Sequence, residues 1–310
     1  MNEPPQFWHQ ILTDGGLGDL IGCLVAVDWN IRHYPKIHFY VWVPDYLLEF
    51  AKHVLPKGNR TIRSFVDAKK HFRHDVEGMT TEWCTNHTCI RTHPVDYGFH
   101  MLSDRHVYDL NEKNYLQIKA DKIEIRQFKL PQKYIVIACT GVEPVRTMPV
   151  ETANKLIDYV IEKGYVPVFL GRETAKCGFK NFAIEAQPIP LNYEKGINLL
   201  NETSLLESAK IIHEAKAFVG MDGGLAHLAG CTDANIVVGF TASSPVHVAP
   251  IRRGSQSYKF QAIEPDDHPN KYYQTWSSFK KGNFQKFEGW REVVASMRPE
   301  KFISALETVL

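Results

Sequence analysis

At 310 residues, with 44% hydrophobic side chains, the chain exceeds the usual size of one domain and has apolar content enough for two cores of roughly 150 residues each. Its 36 basic and 35 acidic residues nearly cancel, which excludes a whole-molecule polyelectrolyte role and confines any nucleic-acid contact to local patches. No apolar run approaches the roughly 18 residues of a membrane span, the opening MNEPPQFWHQ lacks a leader pattern, and the 6 cysteines are scattered as in a reduced enzyme, so a soluble cytoplasmic protein is expected.

The first segment, FWHQILTDGGLGDLIGCLVAVDWNIRHYP, predicts a short strand around Gln10 to Thr13, a glycine-rich turn over Asp14 to Gly18, and a helix from Asp19 to about His33. Gly16 and Gly18 match a dinucleotide fingerprint only loosely. Two roles are open to Asp19: a carboxylate favoured by the helix dipole, or a base facing a cleft. KIHFYVWVP then alternates as a strand, YLLEFAKHVLP has one apolar helical face, and TIRSFVDAKKHF reads as a strand running into a basic turn. In EWCTNHTCIRTHPVDYGFHMLSD, the residues Cys84, His87, Cys89 and His93 can be drawn as a zinc site, but Cys-x4-Cys with a His inside is not a usual finger spacing. The preferred reading is buried thiols plus a loop lining the acceptor side of a cleft, with Arg91, His93, Asp96 and His100 as candidates.

The charged stretch at 119–133 suggests a boundary, giving a first domain over 1–130, a second over 131–285, and a C-terminal segment over 286–310 that packs back on the first domain. The second half reads as strand (YIVIAC), loop (TGVEPVRTMP), helix (VETANKLIDYVIEKG), strand (YVPVFLG), helix (SLLESAKIIHEA), strand (Ala217 to Met221), helix, strand (NIVVGF). Such alternation means a parallel sheet covered on both faces, with ligands bound beyond the carboxyl ends of the strands. Three loops should converge there: Thr140 to Arg146, Gly171 to Glu173, and Asp222 to Gly224. In the last, Gly223 and Gly224 leave backbone N–H groups open to an anion at a helix start, and His227 follows one turn inside. A plain strand-to-helix turn capped by Asp222 is the other reading.

Beyond it, PIRRGSQSYKF and KYYQTWSSFKKGNFQKFEGW interleave aromatics with Lys and Arg, including Lys280 and Lys281. That pattern suits stacking on bases while neutralising phosphates, and equally suits a surface connection whose charges stay in water. A last helix is expected from about Pro299 to Leu310.

Three stretches, taken in order, resemble glycosyltransferase family 9, the ADP-heptose lipopolysaccharide heptosyltransferases. GLGDLIGCLVAV followed by Tyr34-Pro35 is similar to the family's opening Gly-Asp motif; VRTMPVETANKLIDYVIEKGYVPVFLG to its basic residue, Pro, helix, strand and glycine; FVGMDGGLAHLAG to its Asp-x-Gly-x-x-His motif. The resemblance implies an α/β fold with two Rossmann-like domains of the GT-B type, parallel sheets with helices on both faces, and a cleft between the domains. It implies sugar transfer from a nucleotide-diphosphate sugar to an acceptor hydroxyl, with Asp19 as general base. Arg146 stands at the family's basic position as a phosphate clamp, Gly223 and Gly224 as backbone donors, and His227 as a contact to the diphosphate or sugar. Asp222 would orient the sugar or its loop, Thr140 and Gly141 would line the donor side, and Glu173 would take the ribose hydroxyls.

The chain departs from that pattern before the clamp, where Thr140-Gly141 lies further upstream and Val142-Glu143-Pro144 intervenes, and at Met148, where an aromatic is common. No Asp-x-Asp triplet occurs, so transfer without a metal or other cofactor is expected. The acceptor is a saccharide or lipid-linked saccharide, or, if the basic aromatic segment is a platform, DNA with hydroxymethylated bases. Outside enzymology, a nucleotide-binding module with the fold but no transfer is the remaining alternative.

Overall fold

The computed structural model describes residues 7–11, 17–64, 116–141, 144–172, 191–241, 244–250, 259–266 and 290–310. In chain order these form β1 (Phe7–Ile11), α1 (Leu17–His33), β2 (His38–Val43), α2 (Asp45–Val54) and β3 (Arg60–Ser64). The second half adds β4 (Tyr134–Ala138), α3 (Val150–Glu162), β5 (Val166–Phe169), β6 (Ile197–Asn198), α4 (Leu205–Glu214), β7 (Ala217–Met221), α5 (Gly224–Gly230), β8 (Asn235–Gly239), α6 (Pro245–Val248), β9 (Phe260–Ile263), α7 (Trp290–Ala295) and α8 (Pro299–Val309). All strand pairs among the described residues are parallel. The first sheet runs β1-β2-β3 and the second β6-β5-β4-β7-β8-β9. This is the two-sheet α/β architecture expected of a GT-B protein.

Burial explains the elements. Every residue of β4 and β7 is buried, as in central strands covered on both faces. Alternate side chains divide between two clusters: Tyr134, Val136, Phe218, Ile236 and Val238 point one way, Ile135, Ile137, Val219 and Val237 the other. On the second face lies α3, whose Ala153, Leu156, Ile157 and Val160 make one buried stripe. The first face is shared. There α4 and α5 meet α1 and α2, and Leu20, Ile21, Leu24 and Leu47 of the first half join Ile211, Ile212, Ala226 and Leu228 of the second in a single cluster. Helix α4 begins at a reciprocal cap, in which Glu207 N donates to Ser204 Oγ at 3.2 Å and Ser204 N to Glu207 Oε2 at 2.7 Å.

Four expectations need correction. Helix α1 starts at Leu17 rather than Asp19, because Leu17 is already seated against α5, and β1 begins at Phe7 rather than near Gln10. The stretch 116–123, assigned to the first domain, packs on the second: Ile118 N donates to Cys231 O at 2.9 Å and Lys210 Nζ to Ile123 O at 2.9 Å. The last helix does not return to the first domain. Phe302, Leu306 and Val309 of α8 fill the cluster under α3, β7, β8 and β9, Asn235 Nδ2 donates to Val309 O at 2.8 Å, and Thr152 Oγ1 to Met297 O at 2.7 Å. The apolar stripe of α8 matches the open second face of the large sheet. Part of the basic aromatic segment is also regular structure, since Phe260 opens the edge strand β9 and meets Phe240 edge-on with ring centroids 6.4 Å apart.

Candidate functional site

In the order β6-β5-β4-β7-β8-β9 the winding of the chain reverses between β4 and β7, so the loops leaving their carboxyl ends diverge and open a place for a ligand. The loop after β4 is tied at its base, where Met148 N donates to Cys139 O at 3.1 Å. Inside it a single 3-10 turn, Pro144–Arg146, carries the arginine. That turn lies on Gly141, where a Cβ would come within 2.8 Å of the Arg146 carbonyl carbon. Gly141 is therefore needed for loop closure.

The loop after β7 brings Asp222 to the same place. Its N–H completes the sheet by donating to Gly239 O at 2.8 Å, and the residue is only 4% exposed. Oδ2 lies 3.8 Å from Arg146 Nε, and Oδ1 lies 4.0 Å from His227 Nε2. Both distances are those of charge contacts, longer than hydrogen bonds. Burial pushes the Asp222 carboxyl above its ordinary value, and the Arg146 guanidinium offsets part of that rise. Asp222 Oδ2 and Thr140 Oγ1 are buried without a hydrogen-bond partner among the described residues. A buried polar atom in that state costs about 1–3 kcal/mol, a penalty that a ligand hydrogen bond removes. Beside Thr140 is Gly171, whose φ of 139° suits glycine, and a Cβ there would stand 2.7 Å from Thr140 Oγ1.

From the first half, the start of α1 is seated on α5. A Cβ on Gly18 would come within 2.7 Å of His227 Nε2, and a Cβ on Gly224 would come within 2.6 Å of Leu17 Cβ. The two halves dovetail, each filling a glycine notch in the other. Gly223 is different: its backbone is extended, with φ of 170°, and the nearest atom to a Cβ there is Met221 O at 3.9 Å.

The structure thus brings together Thr140, Gly141, Arg146, Asp222, Gly223, Gly224 and His227, with Gly18 against His227 and Asp19 next to it in the first turn of α1. At Gly224 the side where a Cβ would stand meets Leu17, and His227 is buried at 6% exposure against α1. Gly16, Cys84, His87, Cys89, Arg91, His93, Asp96, His100, Glu173, Lys280 and Lys281 lie outside the described residues. Sequence reasoning missed Leu17, whose role depends on a partner 207 positions away, and Thr241, whose Oγ1 donates to the Val145 carbonyl in the arginine's own turn. A hydroxyl just past the end of a strand, as Thr140 is past β4, is the signal that marks Thr241 after β8.

Two parallel sheets joined face to helix, with a site at the switch point of the larger one, define a GT-B-type α/β protein. A model described as glycosyltransferase family 9 (heptosyltransferase) matches residues 68–271, and the chain belongs to that family. The matched range begins after α1, so Asp19 lies outside it. Lipooligosaccharide heptosyltransferase 2 of Haemophilus ducreyi is 28% identical over 155 residues, which cover 45% of this chain and 42% of that relative. The match therefore spans less than half of the relative's length. Among solved structures, Escherichia coli ADP-heptose lps heptosyltransferase II superposes with a TM-score of 0.64 at 16% identity, covering 98% of both chains. A glycosyl transferase family 9 protein of Veillonella parvula superposes with a TM-score of 0.64 at 14% identity, covering 98% of this chain and 96% of its own. At these identities the likeness is one of fold. No helix among the described residues is long and apolar enough to cross a membrane.

Proposed function

We propose that the protein transfers a sugar from a nucleotide-diphosphate donor, of the ADP-heptose kind named for its relatives, to a hydroxyl of a saccharide or lipid-linked saccharide. The observation that carries this reading is the Arg146 and Asp222 pair at the switch point, flanked by the unpartnered Thr140 Oγ1 and the open face of Gly223. As the glycosidic bond breaks, negative charge grows on the departing diphosphate, and an oriented guanidinium stabilises it through two parallel donors. Asp222 holds that guanidinium at the site from a buried position, so its role is to orient the clamp more than to touch the sugar. Gly223 lets the diphosphate approach the backbone, and Thr140 offers a hydroxyl beside it. His227, buried between Asp222 and Gly18, transmits the seating of α1 to the donor loop. Asp19, in the first turn of α1, is proposed as the base that takes the acceptor proton. Glu173 is proposed for the ribose hydroxyls, and Gly16, His93 and Asp96 for the acceptor side.

Arg146 and the backbone donors meet the diphosphate charge, so we propose transfer that needs neither a divalent ion nor another cofactor. The reading as a DNA-modifying enzyme rests on Lys280, Lys281 and their aromatic neighbours, which lie outside the described residues, whereas the relatives carry names of heptose transfer. The test is release of ADP from ADP-heptose in the presence of a lipid A core acceptor, with chelator present throughout. Acceptor-dependent ADP release that chelation leaves unchanged is the expected result. Should ADP-, UDP- and GDP-sugars be bound yet go unconsumed with acceptor present, the chain would be a nucleotide-binding module without transfer. Should none be bound at all, the diphosphate site itself would fail. Either outcome would make the proposal wrong. Loss of activity in chelator, restored by a divalent ion, would overturn the metal-independent part.

A further inference from the structure

The clamp arginine ends a turn of only 3 residues, and such a turn takes its position from what surrounds it. At its base the loop is closed by Met148 N on Cys139 O at 3.1 Å and by the buried contact of Cys139 Sγ with Met148 Sδ at 3.7 Å. Underneath, Gly141 lets the Arg146 backbone lie flat on the loop. A further tether is Thr241. Its side chain is fully buried just beyond β8, and its Oγ1 donates to the carbonyl of Val145, the residue immediately before the arginine. Strands β4 and β8 are not neighbours, since β7 lies between them. The bond from Thr241 therefore crosses over the end of β7, where Asp222 sits, and links the loop after β8 to the loop after β4. Thr241 is itself held in register, because the preceding Phe240 N donates to Ile263 O at 2.8 Å on β9.

We propose that Thr241 is a positioning residue for the phosphate clamp: by fixing the Val145 carbonyl it fixes the peptide leading into Arg146, and so the direction in which the guanidinium leaves the turn toward Asp222. The inference rests on reading the site as a diphosphate site. Without the hydroxyl, the turn is free to rotate about the Gly141 contact, and the guanidinium loses its fixed distance from Asp222. A displacement of about 1 Å in such a group is enough to weaken a preorganised site severely. A hydroxyl that merely filled a buried position would affect melting temperature alone.

The experiment measures ADP affinity by calorimetry, with UDP and GDP as comparison ligands, for the wild type, Thr241→Val, Thr241→Ser, Arg146→Ala and the Thr241→Val/Arg146→Ala double variant. Valine keeps the shape and removes the donor; serine keeps the donor. The expected result is a loss of about tenfold in ADP affinity for Thr241→Val, recovery to within about threefold of wild type for Thr241→Ser, and a double variant no weaker than Arg146→Ala alone. Wild-type affinity in a folded Thr241→Val protein, or losses that add in full in the double variant, would overturn the positioning role while leaving the diphosphate reading intact. If the wild type binds none of the three nucleotides, the diphosphate reading fails and this inference with it. Where valine prevents folding, Thr241→Ala gives the same comparison, because alanine also removes the donor without forcing a methyl against the carbonyl.

Discussion

The two glycine-rich stretches, one running into the first turn of α1 at Gly18 and the other into α5 through Gly223 and Gly224, look alike in sequence and meet different needs in the fold. Gly18 and Gly224 are notches: His227 of the second half lies over the first, and Leu17 of the first half over the second. Gly223 fills no such role, having ordinary extended dihedrals and open space where a side chain would be. Glycine thus serves close approach of protein to protein at two positions and leaves open space at the third, where the proposed ligand would stand. Only the neighbours tell them apart.

The largest expected effect lies beside the first notch. Asp19→Asn should preserve donor affinity and lower kcat by about 10²–10⁴, because it removes the proposed base while keeping the shape of the helix turn. Steady-state kinetics with calorimetry separates the two quantities, and a kcat near wild type would reduce the first turn to packing alone. On the donor side, Arg146→Ala should weaken nucleotide binding by roughly 1.5–3 kcal/mol, about tenfold to over a hundredfold, because charge-assisted hydrogen bonds to phosphate are lost. Unchanged affinity would place the diphosphate elsewhere.

A smaller effect concerns Asp222. Its carboxyl is raised by burial, and Arg146 restores only part of the difference. A group whose folded pKa lies above its unfolded value stabilises the fold while protonated and ceases to do so as pH rises through the folded value. Wild-type stability should therefore fall as pH climbs from about 4, the ordinary aspartate value, through the raised one. Asp222→Asn should lack that decline and melt higher than wild type at neutral pH, while binding nucleotide less well because Arg146 is no longer held by a charge. Melting curves across that range decide the matter. An asparagine variant that melts lower at every pH would mean that Arg146 outweighs burial.

Much of this molecule is legible from periodicity. The apolar runs of β4 and β7, the helical stripe of α3, and the Asp222-Gly223-Gly224 turn all stand close to where the sequence places them, since each is governed by residues within a few positions of one another. Arg146 and Asp222 are each singled out in the sequence, yet their pairing is not, because 76 positions separate them and the loop after β4 folds back through a 3-10 turn that no periodicity announces. The dovetail of Leu17 with Gly224 and of Gly18 with His227 is a packing fact between halves, invisible to any local window. The docking of α8 escapes the sequence for a similar reason. Its apolar stripe fits either half, and only the uncovered face under β7, β8 and β9 selects one.

The central claim, that Gly223 faces the ligand while Gly224 and Gly18 face protein, is tested most directly by thermal melting of Gly223→Ala, Gly224→Ala and Gly18→Ala with and without saturating ADP. Gly223→Ala should melt within about a degree of wild type but show a reduced ADP-induced rise, because its new methyl stands in ligand space. Gly224→Ala and Gly18→Ala should instead lose about 1–3 kcal/mol of stability, since each methyl is forced against Leu17 or His227, while the folded protein still gains from ADP. A Gly223→Ala protein that melts low yet responds fully to ADP, beside Gly224→Ala and Gly18→Ala proteins that melt as wild type, would contradict that claim.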